Sequence, residues 1–550
     1  MNILLNSGQV LMEDGPLLLT ILATLLWGTL ISLAVLLRLA GAQRADASLS
    51  ALALGGWPVP ALLLSAFLLL GRLVLPPGLA AICALSAALA AAVLAAWSLR
   101  NRIGWSAALP FALFALLLAL RLGYARSLLL PPYFDSAEHY RIIRALLDLR
   151  PGAALIWPTD SYYHIGFHLI AASLSALSGA GPARLMILLG QVIVATLPVP
   201  VFFLVRQVTS SRKAALIGLT LAAIGWSMPA HAANWGKYPA LLGLLVLQFA
   251  LGAAMLRQWR LFALAMLCAA LIQTRTIILL AALALGWLAS RLSGRALAAA
   301  CIAALAAAAY LLLRFEAAED LAVTYAVPAT LLAGLLAFHA PPGSRRDALA
   351  GMMGAAAMLV GMFIPAGPAL SLLDRPLVQM SLFLPLAFAG GAGAAGVRRE
   401  VCLLAAAGIL IYGLSSYSFA PSPCCQLVRR DDLAALNWIG RNLPQDARVG
   451  IAAADIRLAA GGPPLRSTGA DAGIWIGPLT GRRMVMISSF TNFTDDAVHR
   501  SLCKRRVGYL YAGSTQDSFR DEGWLASPGR YELIFALPEA QIVRVIGCQG

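Results

Sequence analysis

Long apolar stretches separated by short polar loops fill the chain as far as about residue 420. A helix that crosses a membrane needs about 20 apolar residues, and fourteen stretches of roughly that length follow one another in this part of the chain. The pattern predicts an α-helical polytopic membrane bundle. The fourteen predicted crossings lie near residues 16–40, 51–74, 79–98, 106–123, 183–205, 214–230, 238–256, 260–273, 276–290, 296–313, 323–340, 349–366, 377–396 and 401–419.

The basic residues of the loops indicate which side of the membrane each loop faces. Lys and Arg are retained on the cytoplasmic side of short loops. With the N-terminus outside, every one of the seven inward loops contains at least two basic residues. This orientation requires the helix-like run His164–Ser178 to lie in or on the membrane without crossing it, for which its length of about 15 residues is suitable. Both termini are then extracytoplasmic.

Residues 421–550 follow a different pattern, in which short apolar segments alternate with Gly- and Pro-rich turns. The segment Asp431–Asn442 predicts an amphipathic helix that begins at an Asp cap. Together with the predicted strands, it indicates a small α/β extracytoplasmic domain. A disulfide in it would join Cys503 to Cys548 or to one of the adjacent pair Cys424 and Cys425, with unpaired thiols as the alternative. The strands are predicted at Arg448–Ala453, Met484–Ile487, Val507–Tyr511, Tyr531–Ala536 and Ile542–Ile546.

These patterns divide the chain into three parts. Residues 1–105 are predicted to be extra N-terminal transmembrane helices, and residues 106–420 a second transmembrane module. The module contains the first long periplasmic loop, residues 124–163. Residues 421–550 are the periplasmic α/β domain.

Composition and charge agree with a membrane protein and exclude several other classes. The chain is 60% apolar and only 12% charged, whereas soluble domains are about a quarter charged. The net charge is +16, but residues 421–550 hold 15 basic and 12 acidic residues, which leaves 26 of 41 and 13 of 25 in residues 1–420. The excess therefore belongs mainly to membrane loops, and without a basic stripe interleaved with aromatics we expect no nucleic-acid binding.

Chemically useful side chains concentrate in the loop 124–163. Asp135, Glu138 and His139 are spaced i, i+3, i+4 after Pro131-Pro132, so they share one face of the helix predicted for Ser136–Leu149. Such a set suits a divalent cation or a carboxylate that acts as a base. The alternative is structural, because an Asp before a helix with an acid three residues later forms a capping box.

This loop resembles the first extracytoplasmic loop of the GT-C superfamily of membrane glycosyltransferases. The resemblance rests on Phe134-Asp135-Ser136-Ala137-Glu138-His139-Tyr140, which is similar to the acidic motif of that superfamily. A second segment, Tyr162-Tyr163-His164-Ile165-Gly166-Phe167-His168, is similar to its tyrosine-containing segment.

The resemblance implies an inverting glycosyltransferase that moves a sugar from a polyprenyl-phosphate-linked donor to a glycan, lipid or protein acceptor. Asp135 is the expected catalytic base, in a cavity roofed by the C-terminal domain. Glu138 and His139 are expected to orient the acceptor, hold the base, or share a divalent cation (Mg, Mn or Ca) with it. The expected location is a bacterial inner membrane. Donor- and acceptor-binding residues are predicted to include Arg141, Tyr162, Tyr163 and His164.

Further cations and aromatics occur at the outward ends of later helices. Trp235, Lys237 and Tyr238 combine rings that stack on sugars with a charge for phosphate, although an interfacial aromatic belt is the alternative. Arg275 and Arg375 are further candidates for the donor phosphate, although Arg375 also has Asp374 as a neighbouring partner.

A secondary transporter or a lipid-linked glycan flippase is the alternative function, because both also require many helices and buried cations. Transporters often contain inverted repeats and broken helices at the membrane midplane. The chain shows no such repeat, and its polar residues lie at outward helix ends. The pattern therefore favours the enzyme.

Overall fold

The computed structural model describes residues 2–41, 43–151, 163–292, 317–367, 370–456, 466–520 and 526–548, together with Trp524 and scattered positions between 296 and 313. Eight helices in this part of the chain are long and apolar enough to cross a membrane, as expected for a multi-pass membrane protein. The predicted crossing at 296–313 lies largely outside the described residues. The eight helices are Gly15–Leu39, Ala47–Gly71, Pro77–Leu99, Trp105–Ala125, Pro182–Thr209, Tyr238–Met255, Arg375–Gly396 and Arg399–Ser416.

Shorter helices complete the described part of the bundle. The predicted non-crossing run is a helix over Ile165–Ser178, and most of its side chains are buried. Apolar helices of 10–17 residues also occupy Trp259–Ile272, Arg275–Ala289 and Pro328–Phe338. The predicted total of fourteen crossings is thus not reached among the described helices by length and composition. The remaining bundle helices are Asn2–Glu13, Arg212–Ile224, Ala317–Tyr325 and Pro342–Gly361.

Small residues bring the helices of the bundle close together. A Cβ at Gly286 would lie 2.3 Å from the backbone N of Gly354 on a neighbouring helix. A Cβ at Gly393 would lie 2.2 Å from the carbonyl oxygen of Leu336. Outer helices instead expose large apolar side chains such as Leu89 and Ile411, which a lipid environment would cover.

The C-terminal region forms the α/β domain that the sequence predicts. A separate short hairpin, β1 (Pro365–Gly367) and β2 (Leu370–Ser371), precedes this domain in the chain. The strands of the domain itself are β3 (Arg448–Ile456), β4 (Arg466–Gly469), β5 (Arg483–Ser488), β6 (Tyr509–Ala512), β7 (Tyr531–Leu537) and β8 (Ala540–Val545). All five predicted strands are confirmed, and β4 was missed. Strand β3 pairs in parallel with both β5 and β6, and the sheet continues through β8 to β7 in antiparallel pairs.

Helices of the C-terminal domain begin at Arg430, Ile476 and Asp496. The predicted helix is confirmed as Arg430–Asn442, but Asp431 does not cap it. Instead the Asp432 carboxylate accepts a hydrogen bond from the backbone N–H of Arg429 at 2.8 Å. The helices Ile476–Thr480 and Asp496–Lys504 were not predicted. A disulfide joins Cys503 to Cys548, which decides among the pairings that the sequence left open, while Cys424 and Cys425 are free.

Two buried carboxylates hold the loop that follows β6. Asp432 accepts hydrogen bonds from the Tyr511 hydroxyl at 2.6 Å and from both the backbone and the side chain of Ser514. Asp471 accepts from the Ser518 hydroxyl at 2.5 Å and from the backbone N–H of Gly473 at 2.9 Å. Burial raises the pKa of Asp471 from 3.8 to about 7, and the nearby Asp432 carboxylate also raises it, against these hydrogen bonds.

The stability of this domain should therefore depend on the protonation of Asp471. The folded form holds the proton more tightly than the unfolded form, so its contribution is complete below pH 3.8 and is lost as the pH rises to about 7. We expect Asp471→Asn to flatten the fall of unfolding temperature over this range, measured on the full chain in detergent. The exposed Asp446 provides the control, because Asp446→Asn should leave the pH profile unchanged. Equal profiles for wild type and Asp471→Asn would contradict the prediction.

Candidate active site

The loop helix, Phe134–Leu147, carries the acidic motif. The helix begins two residues earlier than predicted, directly after Pro131-Pro132 and Tyr133. Asp135 therefore lies inside the first turn rather than at the cap, and the helix start has no side-chain capping hydrogen bond. The capping-box alternative is wrong, so the position of this carboxylate has to be explained by other contacts.

Those contacts come from two distant parts of the chain. One carboxylate oxygen of Asp135 accepts a hydrogen bond from the Tyr163 hydroxyl, and the other forms an ion pair with Lys237. The Asp135 side chain is 4% exposed and that of Lys237 is 20% exposed. A buried carboxylate requires such partners, because an unpaired charge away from water is strongly unfavourable. The arrangement leaves an anion held directly behind a cation.

The backbone on either side of this pair is unusual. Tyr133 has φ 66° and ψ 164°, a region that residues other than Gly rarely adopt and that is often found at functional sites. Its N–H donates to the carbonyl of Cys425 at 2.8 Å, which ties the loop to the start of the C-terminal domain. Gly236 has φ 62°, and a Cβ there would lie 2.3 Å from the Ser136 hydroxyl. The segment before Lys237 can therefore press against the loop helix only with Gly at this position.

His139 lies behind the pair and is completely buried. Its Nδ1 is 3.0 Å from Nε2 of His168, and its ring meets the Tyr163 ring edge-on at 4.3 Å between centroids. Burial and the nearby charge of Lys237 together lower the pKa of His139 to about 3, so the imidazole is neutral at neutral pH. This places His139 as a support for Tyr163, which in turn donates to Asp135.

Glu138 is paired within its own helix. Both its oxygens accept hydrogen bonds from the guanidinium of Arg141, at 2.7 and 2.9 Å. Asp135 and Glu138 are therefore each neutralised by a different protein cation. This donor set does not fit a divalent cation shared by the two carboxylates, which was one of the alternative roles expected for these residues.

The other predicted cations divide into two groups. Arg275 forms an ion pair with Asp374. Arg375, the sequence neighbour of that carboxylate, belongs to the second group, which lines a cavity together with Lys237. Asp374 also accepts from the backbone N–H of Leu377 at 2.7 Å and caps the helix that begins at Arg375. His164 is 2.5 Å from the hydroxyl of Thr274 and lies beside this ion pair.

A cavity of about 560 Å³ lies between the bundle and the C-terminal domain. Its bundle side contains Lys237 and Arg375, with the rings of Tyr133, Phe134 and Trp235 beside them. Asp135 lies behind Lys237 and does not line the cavity, which corrects the expectation that its carboxylate faces the space directly. The structure thus brings Trp235, Lys237 and Arg375 to one surface.

Several predicted site residues lie elsewhere. Glu138, His139, Arg141, Tyr163, His164 and Arg275 do not line this cavity. Tyr238 is buried, and its ring stacks on Phe167 at 5.9 Å between centroids. Tyr162 lies outside the described residues.

The roof of the cavity contains two acids that sequence reasoning missed. Asp455 is near the carboxyl end of β3 and Asp517 is in the loop after β6, and both side chains are exposed and line the cavity. Ligands of sheets with parallel strands bind at the carboxyl ends of those strands. In the sequence, Asp455 is visible only as an acid that follows the apolar run of β3. The parallel pairing of β3 with β6 is what places this acid and the loop after β6 at the same edge of the sheet.

Comparisons with known proteins add a distant likeness. No protein family and no curated protein sequence matches the chain. Among solved structures, the cryo-EM structure of arabinofuranosyltransferase AftD from Mycobacteria is similar over 80% of this chain, at 14% identity and a TM-score of 0.45. The match covers 41% of that protein, so this chain spans less than half of its length. A TM-score this low does not assign the fold.

The buried ion pair predicts unequal effects of removing its two charges. Lys237→Met should lower the free energy of unfolding by about 3 kcal/mol, because Asp135 would remain buried without its cation. Asp135→Asn should cost about 1 kcal/mol or less, because the remaining ammonium of Lys237 lines the cavity and its side chain is 20% exposed. The double variant should recover most of the loss. Denaturation in detergent measures all three, and equal losses for the two single variants would contradict the geometry.

Proposed function

We propose that the protein is an integral-membrane glycosyltransferase that moves a sugar from a polyprenyl-phosphate-linked donor to an extracytoplasmic acceptor. The observation that carries the proposal is the cavity between the bundle and the C-terminal domain. It combines two cations and an indole ring on the bundle side, with two carboxylates on the opposite side. An amphiphilic donor and a polar acceptor would need to meet at such a boundary.

The cations are suited to the phosphate of the donor. Lys237 and Arg375 line the same cavity at the bundle surface, where the headgroup of a lipid embedded in the membrane would lie. Arg can hold two phosphate oxygens at once, while Lys contributes a movable point charge. Trp235 offers an apolar ring face on which the sugar could stack.

Donor binding would also free the catalytic base. A phosphate in the cavity competes with Asp135 for the Lys237 ammonium, and a shift of that ammonium toward the phosphate uncovers one oxygen of Asp135. The second oxygen remains oriented by Tyr163. The base would thus become available only when the donor is present.

The chemical step follows from these positions. The oxygen of an acceptor hydroxyl attacks the anomeric carbon while Asp135 takes the hydroxyl proton. The bond from the anomeric carbon to the phosphate oxygen breaks, and the phosphate leaves with the electron pair. Lys237 and Arg375 stabilise the negative charge that develops on it. Attack opposite to the leaving group inverts the anomeric configuration.

The acceptor would enter from the side of the C-terminal domain. Carboxylates accept hydrogen bonds from sugar hydroxyls, and Asp455 and Asp517 face the cavity. This roof supports a polar acceptor, whether glycan, glycosylated lipid or protein. The disulfide Cys503–Cys548 supports an oxidising compartment, in agreement with a periplasmic domain on a bacterial inner membrane. The proposed chemistry needs no metal step.

The proposal is tested by assaying purified protein in detergent with polyprenyl-phosphate sugars and a panel of acceptors. We expect sugar transfer together with release of the polyprenyl phosphate. Movement of a solute or lipid-linked glycan in proteoliposomes, without any turnover of donor, would instead establish the transporter or flippase.

Asp135→Asn should abolish most transfer while the protein remains folded. Loss of a general base typically costs about 10² to 10⁴ in rate, so we expect kcat to fall. The KM for the donor should not rise, because the phosphate would no longer compete with the Asp135 carboxylate for the Lys237 ammonium. Asp148 at the other end of the loop helix is exposed, so Asp148→Asn is the matched control and should retain activity. Full activity of Asp135→Asn would exclude the assigned base.

Lys237→Ala and Arg375→Ala should mainly weaken use of the donor. Each removes a charged contact to phosphate, which corresponds to an increase of about tenfold in the KM for the donor. Arg126 is an outward arginine that contacts Asn6 rather than the cavity, so Arg126→Ala should behave as wild type. Unchanged kinetics for both cavity variants would remove these residues from the phosphate site.

A further inference from the structure

A second cavity lies at the opposite, predicted cytoplasmic end of the bundle. Its volume is about 670 Å³, and its lining is almost entirely apolar. Gln207, Met255, Trp259 and Arg291 line it near the predicted inward loops, while Leu280 lies at its deeper end. It therefore has no connection with the predicted site around Lys237.

The depth of this cavity corresponds to one leaflet of a bilayer. Leu280 and Arg291 both line it, and a separation of eleven helical residues corresponds to about 16 Å at 1.5 Å per residue. The hydrocarbon core of a bilayer is about 30 Å thick. The cavity thus extends from the predicted inner surface to about the middle of the membrane, as one acyl chain does.

Its polar end contains one cation and one anion that are near each other without being paired. Arg291 and Asp347 both line the cavity, and Arg291 acts electrostatically on Asp347. Among the described residues, however, they do not form a salt bridge. Arg291 lies over the ring of Trp287, at 4.7 Å from its centroid. Opposite charges at the same cavity mouth are therefore available to a ligand that carries both signs.

We propose that this cavity binds a zwitterionic aminophospholipid of the inner leaflet. Arg291 binds the phosphate, Asp347 binds the ammonium of the headgroup, and an acyl chain fills the apolar space down to Leu280. Trp259 and Trp287 lie at the depth where aromatic side chains border the headgroup region.

The charge pattern distinguishes this ligand from others. An anionic phospholipid would satisfy Arg291 but would leave Asp347 facing a like charge, which is unfavourable. A hydrocarbon without a headgroup would leave both charges at the mouth of an apolar cavity without a partner from the ligand. A lipid with both a phosphate and an ammonium matches both side chains, and the proposal does not depend on the function proposed above.

Titration of the full chain with defined lipids tests the assignment. Purified protein in detergent is titrated with phosphatidylethanolamine and with phosphatidylglycerol, and bound lipid is counted by native mass spectrometry. Wild type should bind phosphatidylethanolamine saturably and more tightly than phosphatidylglycerol. Arg291→Gln should bind both lipids about tenfold more weakly, since each loses a charged contact to its phosphate. Asp347→Asn should lose the preference for phosphatidylethanolamine.

Two further variants separate specific binding from loss of folding. Arg260 is an exposed arginine of the same predicted inward surface that does not line the cavity, so Arg260→Gln should bind as wild type. Ala284 is exposed and lines the cavity, so Ala284→Trp should reduce binding of both lipids by filling the space. Absence of saturable binding by wild type, a wild-type preference for phosphatidylglycerol, or equal affinities for Arg291→Gln and Arg260→Gln would each overturn the proposal.

Discussion

The ion pair between Asp135 and Lys237 is the contact on which the arrangement of the site depends. Each charge lies on a different part of the chain, the loop helix and the segment before the helix Tyr238–Met255. Because a buried carboxylate is tolerated only with partners, the pair restricts where the loop helix can lie on the bundle. The hydrogen bond from Tyr163 adds a third anchor. The same ion pair therefore positions the loop helix and supplies two of the charged groups used in the proposed reaction.

The C-terminal domain gains its position from the same loop. Tyr140 packs edge-on against Trp475 at 5.6 Å between ring centroids, and the backbone of Tyr133 bonds to Cys425. One hydrophobic cluster includes Leu130 and Ala137 together with core residues of the C-terminal domain. The loop helix is thus shared by the two parts of the molecule, which explains how the carboxyl ends of β3 and β6 come to lie above Lys237 and Arg375.

The limits of sequence reasoning are visible in particular residues. The motif that contains Asp135 and the segment that contains Lys237 were each recognised by local spacing, but 102 residues separate the two partners. Local spacing also gave Asp374 as an alternative partner of Arg375, whereas the structure pairs Asp374 with Arg275. Helix capping was an equally local interpretation of Asp135, and it fails because distant donors compete for that carboxylate. Charged partners are chosen by three-dimensional proximity, on which local patterns carry little information.

The membrane bundle, the C-terminal α/β domain, most of its strands and the loop in which the chemistry concentrates can all be predicted from the order of the amino acids. These features follow from periods of apolar residues, turn residues and local charge, which act over a few residues of the chain. Three further features appear only in the folded chain: Lys237 covers Asp135, Arg375 reaches the same cavity, and Asp455 and Asp517 line its opposite side. These positions depend on burial and on long-range contacts, because the free energy of burying a charged side chain depends on all the groups that pack around it.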